Sequence, residues 1–91
     1  MVVGINAVFE ALSHPARRKV LALLKEGPMS AGELAEHFEF SKPTLSVHFN
    51  KLKEAELVVV ERRGTSIIYH LNTSILEGAL ANLLSLKEHN E

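Results

Sequence analysis

Hydrophobic residues recur along most of the chain at the three- and four-residue spacing of amphipathic helices, and turn to alternation only between residues 57 and 71. Ile5, Val8, Phe9 and Leu12 mark a first helix that ends near Ser13. Pro15 starts a second, because a proline at the first helical position loses only an N–H that would have no partner there. Val20, Leu21, Leu23 and Leu24 supply its buried stripe, and Gly27 and Pro28 stop it. Ser30 followed by Glu33 forms a capping box that opens a third helix, with Leu34 and Phe38 facing inward. The segment Phe38 to Phe40 is a turn, after which Ser41 caps a fourth helix and Pro43 is tolerated in its first turn.

In that fourth helix Leu45, Phe49 and Leu52 stand at i, i+4 and i+7 and anchor it to the core. Its outer arc presents Thr44, Val47, Asn50 and Lys51, flanked by Ser46 and His48, with Ser41 and Lys42 at its start. These groups are small or able to hydrogen-bond, as contact with base edges requires, and two short helices joined by a tight break form a helix-turn-helix whose second helix reads DNA. Beyond Ala55, the β-branched runs Leu57 to Arg62 and Ser66 to Leu71 predict a hairpin whose tip, Arg63-Gly64-Thr65, is basic. A last helix, capped near Ser74 with Glu77 three residues on, carries Ile75, Leu76, Ala79, Leu80, Leu83, Leu84 and Leu86. That apolar arc is too wide to bury against so small a core, so part of it is expected to meet a second copy. The fold expected is mainly α with a β-hairpin: a winged helix-turn-helix of about five helices and a two-stranded wing, one domain over residues 1–91.

Composition narrows the function by exclusion. The 91 residues include no cysteine, so neither disulfides nor thiolate metal sites are available. Without a leader or a long apolar run, the protein is expected in the cytoplasm, with no membrane insertion. No nucleophile–base pair, phosphate-cradling glycine loop or ligand cluster stands out, which argues against an enzyme and against a cofactor. His37 with Glu33, and Glu88 with His89, offer two metal ligands each, and two do not make a zinc site. The net charge of −1 is unusual for a DNA binder. The charges are unevenly spread, however. Arg17, Arg18, Lys19 and Lys25 form one basic block, and Lys42, Lys51, Lys53, Arg62 and Arg63 a second. Arg17 and Arg18 either reach phosphate or pair with Glu10 or Glu56.

From about Asn6 to Leu84 the chain resembles the ArsR/SmtB family of winged helix-turn-helix repressors. HPARRKVLALLKEG is similar to the family's opening Asp-Pro-Thr-Arg segment, with His14 and Ala16 substituted, and SKPTLSVHFNKLKEAELV to its recognition-helix signature. ERRGTSIIYHLN resembles the family's wing, and among branches the chain looks most like the SdpR-type autorepressors. The resemblance implies that Thr44, Ser46, Val47 and His48 face the major groove. It also implies that Arg62 and Arg63, beside Thr65, follow the minor groove or phosphates, and that the terminal helices pair two subunits through Ile5, Val8, Phe9, Leu76, Leu80 and Leu83. Metal-sensing members carry Cys-x-Cys on the third helix, or an Asp-x-His site on the last helix. Here those helices read GELAEHF and SILEGALANLLSLKEHN, and no metal is expected. The implied function is a homodimeric repressor on double-stranded DNA with an inverted-repeat operator. The alternative is a winged-helix module that binds a protein instead. The inducing signal, whether a protein or a small molecule, is not written in the sequence.

Overall fold

The computed structural model describes residues 4–88. Two helices come first, α1 (Ile5–Leu12) and α2 (Pro15–Lys25). A two-residue strand, β1 (Met29–Ser30), then leads into α3 (Ala31–Ala35) and α4 (Lys42–Glu54). The hairpin β2 (Val58–Arg63) and β3 (Ser66–Leu71) follows, and α5 (Thr73–Glu88) closes the chain. The core is built where α1, α2, α3 and α4 meet one face of the sheet, and Val20, Leu34, Leu52 and Leu57 lie fully inside it. Phe49 of α4 and Tyr69 of β3 lock helix to sheet with ring centroids 4.9 Å apart.

Both caps read from the helix-turn-helix are formed. Ser30 accepts the Glu33 N–H while the Glu33 carboxylate accepts the Ser30 N–H, and Ser41 accepts the Thr44 N–H. The helix α3 is short because the Leu34 and Ala35 carbonyls are taken by the tight-turn N–H groups of His37 and Phe38. At its far end α4 closes in a Schellman arrangement: Leu57 N–H donates to Leu52 O and Glu56 N–H to Lys53 O, with Glu56 at φ 59°.

The two-stranded wing is present as expected, with one strand added to its sheet and two details corrected. The sheet has three strands in the order β1-β3-β2, since Met29 and Ser30 pair antiparallel with Tyr69 and Ile68. Two residues are too few to show alternation. Second, Arg63 belongs to β2, opposite Ser66, so the loop is Gly64-Thr65 alone. Positive φ occurs only at its first position, Gly64 (60°), as in a type II′ turn. Third, α5 begins at Thr73, which puts Ser74 inside the helix and not at its cap. The expected pair Glu88 and His89 lies at or beyond the limit of the described side chains.

Candidate nucleic-acid interface

The outward face of α4 starts from the spacing of its inward one. With Leu45, Phe49 and Leu52 buried, the intervening positions Thr44, Ser46, Val47 and Asn50 are turned to solvent, as are Ser41 and Lys42. Val47 keeps 55% of its surface exposed. The Ser41 hydroxyl donates to Thr44 Oγ1 at 3.0 Å, leaving the Thr44 hydroxyl proton free to point outward. Lys51 is half-buried and leans on the Glu10 carboxylate at 3.5 Å.

His48 does not belong to this face. It is 6% exposed and points at α2, where Arg17 Nη1 donates to its Nδ1 at 3.2 Å. Burial, followed by the charges of His14 and Arg17, lowers its pKa below the ordinary 6.5. The same contact removes Arg17 from the DNA-facing set. Arg17 is 8% exposed as a whole, and its guanidinium also donates to Ala11 O at 2.8 Å and Glu10 O at 3.1 Å, satisfying carbonyls at the end of α1. Arg18 donates to Leu12 O and Lys19 to His37 O, each at 2.6 Å. Three of the four cations of the first basic block therefore hold helix ends and the turn together. The sequence carried the charge but no sign of these distant carbonyls.

The wing supplies cations on both of its faces. Arg62 lies opposite Ile67, on the face that carries Tyr69, whereas Arg63 lies on the other face with Glu61. Arg63 donates to Glu61 Oε2 at 2.9 Å, and His70 bonds the other carboxylate oxygen at 2.8 Å. These bonds, that of Arg63 foremost, hold the Glu61 carboxyl below the usual range. Thr65 is exposed at the tip.

At the opposite side of the chain α5 rests on α1 and leaves Leu80, Leu83, Leu84 and Leu86 between 47% and 64% exposed, with Ile5 of α1 at 36%. Leu76 and Phe9 are half-buried against the core. Val8, expected at a subunit contact, is 3% exposed and is core of its own chain.

This arrangement is shared with known proteins. The sequence profile described as bacterial regulatory protein, arsR family, matches residues 14–60, from the cap of α2 into β2. The chain belongs to the ArsR family. It is 49% identical to the transcriptional repressor SdpR of Bacillus subtilis (strain 168) over 81 residues, which is 89% of this chain and 90% of that protein. It is 37% identical to an arsenical resistance operon repressor of Staphylococcus aureus over 87 residues, 96% of this chain and 84% of the relative. A crystal structure of an ArsR family transcriptional regulator superposes with a TM-score of 0.86 at 28% identity, covering 91% of each chain. A crystal structure of the repressor BigR from Xylella fastidiosa gives 0.69 at 31% identity, over 85% of this chain and 80% of that one. This ArsR protein is accordingly a winged helix-turn-helix regulatory protein and not an enzyme. No helix among the described residues is long and apolar enough to cross a membrane.

Proposed function

We propose that this chain represses transcription in the cytoplasm as a homodimer, each subunit laying α4 in the major groove of one half of an inverted repeat. The observation that carries the reading is the split of α4 into a buried face and an exposed one of Thr44, Ser46, Val47 and Asn50. Those four offer a hydroxyl, a methyl pair and an amide, the groups that meet base edges. Arg62, Arg63, Lys42 and Thr65 flank them and neutralise or bond phosphate, which fixes register without reading sequence. The exposed leucines of α5 and Ile5 of α1 pair the subunits, setting the two readers about one helical turn of DNA apart, ~34 Å. With no cysteine in the chain, thiolates do not sense the signal that lifts repression. That leaves a small molecule, a protein partner or the level of the repressor itself to control it.

Enrichment of bound duplexes from a random DNA pool tests the reading. An enriched inverted repeat is expected, with log K falling against log salt by about 0.9 per phosphate neutralised. Val47→Ala and Thr44→Ala should change the preferred base at fixed positions of each half-site, by about 1–3 kcal/mol of discrimination. Arg62→Ala should weaken all duplexes alike and flatten the salt slope by about one phosphate. An affinity indifferent to salt, or three variants with the same uniform loss, would contradict the assignment.

A further inference from the structure

Behind the reading face of α4, two imidazoles and a guanidinium pack together. Arg17 Nη1 lies 3.2 Å from His48 Nδ1, and the His48 ring lies 4.4 Å from that of His14, centroid to centroid. The Phe40 ring covers the group at 5.5 Å. His14 is the N-cap of α2, and its Nδ1 accepts the Ala16 N–H at 3.0 Å. A guanidinium and a backbone N–H can only donate, so each Nδ1 presents a lone pair in these bonds. For His48 that leaves the ring proton on Nε2.

We propose that His48 is a positioning residue for DNA recognition, and that proton uptake by His48, packed against Arg17 and His14, releases α4 from its reading position and weakens operator binding. This rests on the reading of α4 as the DNA-contacting helix. A proton on His48 Nδ1 removes the acceptor of Arg17 and sets one cation against another. Arg17 cannot turn aside cheaply, because it also holds the Ala11 and Glu10 carbonyls that end α1. The repulsion therefore acts on α4, where His48 immediately follows Val47 and lies between the buried Leu45 and Phe49.

The neighbouring charges do not offset this. Among the described residues no carboxylate forms an ion pair with His14 or His48. The Glu10 carboxylate of α1 is occupied by Lys51 on α4 itself. Beside His14, the cleft at the helix-turn-helix turn is lined by Lys19, His37 and Glu39, and Lys19 is held by His37 O. The lowered pKa of His48 agrees in sign. A histidine depressed on folding contributes stability above its ordinary 6.5, and that stability is lost as pH falls through the folded value.

Acidification ordinarily favours binding to a polyanion, since a protein gains positive charge as pH falls. The proposal therefore predicts a reversed trend. The probe is a duplex enriched at about pH 7.5 by the unaltered protein, titrated down to about pH 5.5 at constant ionic strength; affinity is expected to fall by up to about tenfold per pH unit, the limit for the uptake of one proton. His48→Asn keeps an acceptor where Nδ1 stood but does not titrate. Whatever its affinity at the higher pH, that variant should hold or gain affinity on acidification. Ring 15N shifts of the DNA-free protein should find His48 Nδ1 unprotonated at the higher pH, and far-UV circular dichroism should be unchanged at the lower. Coincident pH profiles for the two proteins, a protonated Nδ1, or global unfolding over the same range would overturn the proposal while leaving DNA recognition standing. Failure to enrich any duplex would instead remove the DNA reading, and this inference with it.

Discussion

Arg17 reaches back from the first turn of α2 to the last carbonyls of α1 and forward to His48, three elements held by one guanidinium. Arg17→Leu leaves the Ala11 carbonyl and an imidazole nitrogen without their donor in a buried site, while Glu10 O keeps its bonds from Ser13, and should cost about 2–4 kcal/mol, read as a lower urea midpoint. Lys19→Met, which removes an exposed ammonium that water can replace, should cost less than about 1 kcal/mol in the same experiment. The residues legible in the sequence were those whose role follows from neighbours in the chain. Leu45, Phe49 and Leu52 are core by spacing, and Ser41 is a cap by position. His48 sits at an outer-flank position by the same count, and its burial is decided by Arg17, 31 residues away. Arg17 itself carried a charge that suggested phosphate and a neighbourhood that demanded carbonyls.

At the scale of elements, the turn that leaves α4 sets where the wing begins. Glu56 takes φ 59°, a left-handed conformation that costs a residue with a Cβ about 1–2 kcal/mol and glycine almost nothing. Glu56→Gly should therefore raise stability, by up to about 1 kcal/mol after the added chain entropy of glycine, and thermal denaturation would show it as a higher Tm. The motif was not visible in advance because its usual glycine is absent. The hairpin was legible, since β-branched alternation and Gly64 both mark it. The strand β1 was not, because a two-residue strand has no period; it exists through its partners Tyr69 and Ile68. Its effect is to tie the entry of α3 to the wing through one sheet.

Taken as a whole, the molecule keeps its apolar surplus on α5. A carboxylate placed there would be harmless in a monomer and costly in a dimer seam. Leu80, at 57% exposure, can be changed without disturbing its own core. Leu80→Asp should cost several kcal/mol of association through burial of an unpaired charge, with the fold intact by circular dichroism. Operator binding should then lose the gain from joining two readers, about a hundredfold or more. Sedimentation alongside DNA titration checks this; a variant that remains dimeric would show that another surface joins the subunits.

With Arg17, Arg18 and Lys19 bonded to carbonyls and the net charge at −1, fewer of the chain's cations are free to hold DNA of arbitrary sequence than the sequence suggests. One-dimensional travel along a duplex depends on that indifferent grip. A regulator built this way should find its target mostly by repeated encounters from bulk solution. The association rate for the operator should accordingly change little, about twofold or less, when the flanking DNA is lengthened several-fold. Stopped-flow measurement on short and long duplexes gives the answer, and a rate that climbs with flank length would mean that the chain slides.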